Sequence, residues 1–507
     1  MPNLTIDGRE LTVPPGATVL DAARQLGIEI PALCHLDGCD PSTSCLVCVV
    51  RVNGSSRLVP SCATPAADGM AVESNVPDVR EARKMALELL LGDHLGECLA
   101  ACERVCPLDL RIPLLTRQVQ AGDFAAAIRD VRAAVPFPGV LGRVCRATCQ
   151  TGCRRSAAEE GVSIKNIERH VADHDRESEA PWLPPAEEDT GRRVAVVGGG
   201  PAGLAAAYFL HLSGHAVTVF ERAEQIGGRL RHAYDEEVLP REMLDAELSI
   251  VERLGVEVRC GVEVGTQTDL DALIETFDAV VVAASDVVGP IQRSGVFATG
   301  DAVQTTDDPA RAMASGKRTA ASIDLFLAGR EVVLPARPFS SVMGKLTEAE
   351  MAEFSGTAES TSPPPAGTTE ALTFEAMAGE CARCLHCDCR AASTCLLKRY
   401  AEQYDASPTR FRRKRRLFTR NLDHPFVIYE PGKCIACGIC VSVAREMDEE
   451  LGLTFIGRGF DVRVGVPFDA PLRDALRQAA ERCVILCPTG ALAFVSERGS
   501  WGRSEVS

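Results

Sequence analysis

Hydrophobic and polar positions alternate with a period of two through residues 1–80, in short runs broken by turn pairs at Asp7-Gly8 and Asn53-Gly54. That pattern predicts a small sheet of half-buried strands. The period lengthens at residues 79–91 (VREARKMALELLL), which reads as a helix, and residues 92–175 stay helical in character. A Pro- and acid-rich linker at about 176–192 leads into an α/β segment that reaches about 335. A second linker at 355–370 (SGTAESTSPPPAGTTE) is low in complexity and predicts a mobile connection. The expected architecture is multidomain, α/β and α+β, with domains at 1–80, 81–175, 192–335, 371–405 and 424–497. No long-period repeat is evident.

Composition narrows the function. A length of 507 residues suits three or four domains. No run of about 18 apolar residues occurs, so no membrane insertion is expected. The N-terminus reads as a strand and not as a signal peptide, which predicts a cytoplasmic protein. A net charge of -16 argues against a nucleic-acid partner. The basic run at 410–416 (RFRRKRR) opposes that balance and reads as a solvated face or a dock for an acidic partner. The main feature is 22 cysteines, set in tight groups with a few residues between them. Such spacing lets thiolates converge on a metal centre, and in a reducing compartment disulfides are the weaker reading.

Cys34, Cys45, Cys48 and Cys62 follow the spacing C-x10-C-x2-C-x13-C. With IPALC, CLVCVVRV and SCATPAADGM around them, they resemble the N-terminal [2Fe–2S] domain of the complex I large iron–sulfur subunit and of iron-only hydrogenases. The resemblance implies a β-grasp domain with these four thiolates as ligands, Cys39 standing aside. REARKMALELLLGDHLGEC continues it: in that family a His and three Cys follow the helix and hold a [4Fe–4S] cluster, and here His94 and Cys98 keep the His-x3-Cys start. CPLDLRIPLL, PGVLGRVC and GVSIKNIERHV then resemble the two-cluster domain of the glutamate synthase small subunit and of dihydropyrimidine dehydrogenase. That likeness implies two ligand sets. One is Cys98, Cys102 and Cys153 with His94. The other is Cys106, Cys145 and Cys149 with Glu168 as a non-cysteine ligand. Six cysteines cannot supply eight ligands, so non-thiolate help or a missing cluster is required.

VAVVGGGPAGLAAAYFLHLSGHAVTVFE is a strand, a glycine-rich turn, a helix and a second strand. Gly198 permits the tight turn, Gly200 lets backbone approach a pyrophosphate, and Gly203 allows close helix packing. The phosphate would meet the helix N-terminus, and Glu221 would accept from a ribose hydroxyl. AEQIGGRL, with Gly228 and Arg229, and SGVFATGDAV, with Gly300 and Asp301, resemble the FAD domain of the glutamate synthase small-subunit family, so FAD is expected over NAD. That family inserts a second Rossmann domain for NADPH between the halves of the FAD domain. Here FDAVVVAASD runs almost straight into IQRSGVFATGD, so the nicotinamide domain is read as lost. A retained scaffold that binds flavin poorly is the competing reading.

CARCLHCDCRAASTC offers Cys384, Cys387, Cys389 and Cys395 for a [4Fe–4S] cluster, with Cys381 spare and zinc as the runner-up metal. Cys434, Cys437 and Cys440, with Cys487 of the distant Cys-Pro, resemble a bacterial ferredoxin reduced to one cluster, since Ala444 stands where a further cysteine would be. The expected cofactors are one [2Fe–2S] cluster, about four [4Fe–4S] clusters and one FAD. Nothing resembles a substrate-activating site. The leading expectation is an electron-transfer subunit of a multi-subunit oxidoreductase. It would stand between an NADH-oxidising flavoprotein or ferredoxin and a catalytic subunit of hydrogenase, formate dehydrogenase or acyl-CoA reductase type. The alternative is a self-contained FAD enzyme that reduces a small substrate or ferredoxin.

Overall fold

The computed structural model describes residues 1–284, 293–333, 338–356, 358, 373–412 and 415–495. Most of the 355–370 linker, the joint at 285–292 and residues 413–414 of the basic run lie outside the described residues. The chain forms two compact units, each built from separate stretches. The first takes Met1–Leu99, Pro338–Gly356 and Asp388–Ser507; the second takes Ala100–Arg337 and Thr357–Cys387.

In the first unit, strands Asn3–Ile6 and Arg9–Thr12 form a hairpin closed by Asp7 and Gly8. Both turn residues are left-handed (φ 49° and 79°), the mirror-image turn whose twist matches paired strands. Asn3–Ile6 pairs in parallel with Met70–Glu73, and Val49–Val52 with Leu58–Pro60 completes a five-stranded sheet. Leu4 and Ile6 point into the core with Val19, Leu20, Ala22 and Ala23 of the helix Val19–Gln25, which a Thr18–Asp21 capping box starts. The helix Pro77–Asp93 is locked at Arg83, whose buried guanidinium donates to the Val49 carbonyl (2.9 and 3.1 Å) and the Tyr404 hydroxyl (2.9 Å). Near the C-terminus, Val427–Tyr429 pairs antiparallel with Leu492–Phe494, beside helices Ile439–Glu446 and Ala480–Leu486.

Where it is described, the basic run is tied to internal partners. Arg410 pairs with Glu88 at 2.7 Å, Arg415 with Glu350, and Arg412 donates to the Met343 carbonyl at 2.9 Å. Glu88 and Glu350 are each only 1% exposed, and a buried carboxylate needs a partner charge. The Arg415 bond holds the Glu350 carboxyl well below the usual range.

The second unit joins a helical layer to a parallel sheet. Its helices include Ala101–Val105, Ile112–Gln120, Phe124–Ala134, Pro138–Val144 and Ile164–Arg176. The sheet runs Val296–Ala298, Ala279–Val282, Arg193–Val197, Ala216–Glu221, Glu257–Cys260, every pairing parallel. Its central strands are apolar on both faces because helices cover both. Helix Pro309–Leu327 lies against helix Pro201–Leu212 at Gly316, where an added Cβ would stand 2.1 Å from the Ala202 carbonyl oxygen. Gly316→Ala is therefore expected to destabilise this unit by about 1–3 kcal/mol through overpacking, seen as a lower Tm; an unchanged Tm would contradict this packing.

Candidate functional site

Cys34, Cys45, Cys48 and Cys62 are buried together in the first unit. They stand as two hydrogen-bonded pairs, Cys34–Cys45 at 3.3 Å and Cys48–Cys62 at 3.4 Å between sulfurs. Two sulfurs on one tetrahedral metal, each about 2.3 Å from it, lie roughly 3.8 Å apart. The pairs thus have close to the spacing that two adjacent irons would impose. Within each pair the shared hydrogen bond splits the thiols. Cys34 is pushed down to about 5 by Cys45 and Cys48 to about 6 by Cys62, while their partners are pushed up. Each pair is poised to present a thiolate, the form that binds metal. Cys39 stands apart, bonded to Glu446 at 2.7 Å.

Three other loops share one local device. After Cys145, Cys384 and Cys434, the residue two positions on (Ala147, His386, Ala436) is left-handed, with φ of 51°, 46° and 53°. Its backbone N–H donates to the cysteine sulfur at 3.3, 3.5 and 3.4 Å. A side-chain-bearing residue adopts this conformation at a cost, so it marks a place where tertiary structure insists on it. Such turns aim successive N–H groups at an anion. Sequence reasoning named these cysteines but not the residues that turn the loops around them.

In the second unit, Glu168 of helix Ile164–Arg176 faces Cys106, Cys145 and Cys149. It is 6% exposed, and its Oε1 has no hydrogen-bond partner among the described residues. Burial, then Glu247, pushes its carboxyl up to about 8. Burial likewise pushes up all three thiols, Cys145 to about 12, and the charge of Glu168 adds to each shift. A cationic metal group resolves this cost for carboxylate and thiols together. Cys102 lies close to Cys153, Cys384 and Cys387, and burial first and these neighbours next drive its thiol well up. Cys381 is fully buried beside them.

In the first unit, Cys98 and Cys389 are joined through backbone, the Cys389 N–H donating to the Cys98 carbonyl at 3.4 Å. Cys395 accepts from the Lys398 N–H at 3.4 Å, and its thiol is raised to about 12 by burial, then by Cys389 and Cys98. His94 starts the same stretch. Its Nδ1 is enclosed with no hydrogen-bond partner among the described residues, and burial with the Lys433 charge lowers it to about 4. Both effects favour the neutral imidazole, the form that ligates. Lys433 was not foreseen from the sequence: its ammonium is buried, paired with Glu430, and close to Cys389. Gly490 is needed here, because a Cβ would sit 2.3 Å from the Cys389 sulfur. Cys434, Cys437, Cys440 and Cys487 line one pocket whose walls are Ile435, Ile439, Val464 and Leu492. Cys483 turns away to the Cys440 carbonyl at 3.7 Å.

Cys98, Cys389 and Cys395 belong to the first unit, and Cys102 and Cys153 to the second. Among the described residues no three His, Cys, Asp or Glu side chains close on a single point as ligands of one ion do. A cluster spreads its ligands over several irons and requires no such convergence.

The dinucleotide fold carries its glycines where they are required. Gly198 has φ 107°, and a Cβ at Gly203 would stand 2.0 Å from the Gly198 carbonyl oxygen. A Cβ at Gly200 would meet nothing, leaving open space at the N-terminus of helix Pro201–Leu212, where free N–H groups attract phosphate. Glu221 accepts from the backbone N–H of Gly199 (2.6 Å) and Ala223 (2.8 Å). A carboxylate has about four acceptor positions, so capacity for a ribose hydroxyl remains. Gly228 (φ 49°) abuts Gly200, and Arg229 meets Asp301 at 3.5 Å beside Gly300. These residues fit a dinucleotide. Ala279–Val282 and Val296–Ala298 are direct neighbours in the sheet, with only residues 283–295 between them. A further βαβ domain needs about 30 residues and does not fit there.

Glu168→Ala is expected to lower the iron content of anoxically purified chain by about four per molecule, one cluster's worth. Glu168→Cys is expected to preserve it. Full iron in Glu168→Ala would remove Glu168 from the ligand set.

Residues 2–77 match the 2Fe-2S iron-sulfur cluster binding domain family, residues 95–180 match dihydropyrimidine dehydrogenase domain II, 4Fe-4S cluster, and residues 196–254 match the NAD(P)-binding Rossmann-like domain. The glutamate synthase [NADPH] small chain of Mycobacterium tuberculosis is 40% identical over 184 residues, 36% of this chain and 37% of that one. The NADP(+)-dependent formate dehydrogenase subunit beta of Moorella thermoacetica is 34% identical over 205 residues, 36% of this chain and 29% of that one. The NAD-dependent dihydropyrimidine dehydrogenase subunit PreT of Escherichia coli is 30% identical over 265 residues, 50% of this chain and 63% of that one. The chain thus spans about a third of the first two relatives and under two thirds of the third. It is a multidomain protein that joins a 2Fe-2S domain, a 4Fe-4S domain and a Rossmann-like dinucleotide-binding domain, and it is similar over part of its length to iron–sulfur oxidoreductase subunits.

Proposed function

We propose that the chain is an electron-transfer iron–sulfur flavoprotein subunit of a multi-subunit oxidoreductase complex. It would carry one [2Fe–2S] cluster, four [4Fe–4S] clusters and one FAD. One observation carries this reading: the four ligands expected to hold the [2Fe–2S] cluster, and the buried cysteines of both units, collect into separate groups, each of a size to hold one cluster. The matched 2Fe-2S and 4Fe-4S families support the cluster types. FAD is favoured over a nicotinamide at the Rossmann-like fold because Arg229, Asp301 and Gly300 extend the site beyond the first glycine-rich turn, and because residues 283–295 leave no room for a second nucleotide domain.

When bound, clusters of this kind pass single electrons, and a flavin interconverts single-electron and pairwise transfer. The chain's own residues would hold these groups in apolar, water-poor surroundings and aim backbone N–H groups at the sulfurs. The names of the formate dehydrogenase and dihydropyrimidine dehydrogenase relatives mark them as subunits, which supports a partner at each end: an NAD(H)- or ferredoxin-linked module, and a catalytic metal subunit of hydrogenase, formate dehydrogenase or acyl-CoA reductase type. A cytoplasmic setting suits the free thiols.

Tagged purification under anoxic conditions tests this reading. It is expected to yield about eighteen irons and one FAD per chain, together with co-purifying subunits. Fewer than about ten irons, or specific turnover of a small substrate by the isolated chain, would overturn it.

A further inference from the structure

The segment CARCLHCDCRAASTC reads along the sequence as a single site, yet the boundary between the two units falls inside it, between Cys387 and Asp388. On the near side, the loop at Cys384 is built into the second unit. Arg383 is fully buried; it pairs with Glu380 at 2.8 Å and donates to the Glu160 carbonyl at 2.5 Å. Its own carbonyl accepts from Arg155, two residues beyond Cys153. Glu380 also accepts from the Ser163 N–H at 2.6 Å. The Cys384 loop is therefore pinned to the Cys153 loop by buried charge-assisted bonds, stronger than neutral ones and hard to rearrange. Cys102 comes to the same place: its helix, Ala101–Val105, touches that loop where a Cβ on Gly152 would meet Val105 at 2.6 Å. Cys102 lies in one apolar core, and Cys153, Cys384 and Cys387 pack against it.

On the far side, Cys389 and Cys395 are built into the first unit. The Cys389 N–H donates to the Cys98 carbonyl, and Cys395 caps helix Leu396–Gln403 against the Pro488 carbonyl. Ser341 bridges the Cys98 sulfur (3.6 Å) and the Gly96 carbonyl (2.8 Å), fixing the stretch that begins at His94.

We propose that this one cysteine-dense segment serves two [4Fe–4S] clusters: Cys384 and Cys387 complete a four-thiolate site with Cys102 and Cys153, and Cys389 and Cys395 complete a mixed site with His94 and Cys98. The proposal rests on the reading of the chain as a cluster-bearing electron carrier and deepens it. It keeps His94 and Glu168 as the non-thiolate ligands and gives Cys98 and Cys102 separate partners from the distant cysteine-dense segment. The two clusters differ in kind. A neutral imidazole in place of a thiolate removes one negative charge, while the Lys433 ammonium is offset by its Glu430 partner. The lost negative charge favours the reduced state, so the mixed site takes up an electron at higher potential than the four-thiolate site.

The test uses anoxically purified full-length chain, its iron content and its EPR redox titration. Cys384→Ala and Cys395→Ala are each expected to lose about four irons and different EPR signals, and the double variant about eight irons. Because alanine can prevent accumulation, Cys384→Ser and Cys395→Ser keep a ligand oxygen in place and are expected to shift different signals. His94→Cys is expected to lower the midpoint of the signal that Cys395→Ser shifts and to leave the other in place. The [2Fe–2S] signal reports that each variant is folded. A double variant that loses no more iron than either single one would overturn the proposal, as would one common signal shifted by both serine variants. Either result, with the wild type holding its full iron, leaves the electron-carrier reading intact; an iron-poor wild type would overturn both.

Discussion

Burial of ionisable sulfur is the constraint on which the rest of the structure depends. Cys102, Cys106, Cys149, Cys389, Cys437 and Cys440 all lie where water cannot reach them freely, and burial pushes each thiol up. No disulfide joins any of the cysteines. A thiolate enclosed in apolar surroundings is costly unless positive charge and N–H donors meet it. The loops after Cys145, Cys384 and Cys434 supply the donors by holding a side-chain-bearing residue left-handed. Lys433 supplies a cation, and an iron–sulfur group would supply the remainder.

The same constraint explains two residues that are not cysteines. Glu168 is a buried carboxyl with an unpartnered oxygen among three thiols, and His94 is a buried imidazole with an unpartnered nitrogen. As ordinary core residues both would be liabilities of about 1–3 kcal/mol each. As ligands they would be satisfied, the imidazole bringing one negative charge fewer than a thiolate and the carboxylate the same formal charge. Redox tuning and structural satisfaction are then one property of the same atoms.

Discontinuity governs the architecture. The unit that holds the Rossmann-like sheet begins at Ala100, just past Cys98, and ends at Cys387, just before Cys389. The flanking pieces rejoin as one core, in which the Cys389 N–H meets the Cys98 carbonyl. A domain insertion is tolerated where chain entry and exit lie close together. Here entry and exit lie beside Cys98 and Cys389, both of the first unit.

Much was legible in the sequence. The alternating strands and the Asp7-Gly8 turn, the C-x10-C-x2-C-x13-C spacing, the glycines at 198, 200 and 203, and the likeness of each stretch to its matched family are local patterns. Local backbone chemistry decides them: a left-handed turn needs such residues, and at position 203 a Cβ would stand 2.0 Å from the Gly198 carbonyl oxygen, so only glycine fits. Membership of the distant groups was not legible. Nothing in the spacing of Cys98 and Cys102 announces that they belong to different units, nor that Cys387 and Cys389 do. Lys433 and the Arg155–Arg383–Glu380 bonds carry no motif, and the paired Arg410 and Arg415 read as a free basic face until Glu88 and Glu350 are seen behind them. The sequence determined which residues can bind metal and nucleotide, because that is a matter of atom type and short-range geometry. Only the tertiary structure decided which of them share a core, because that depends on how segments hundreds of residues apart bury their apolar faces together.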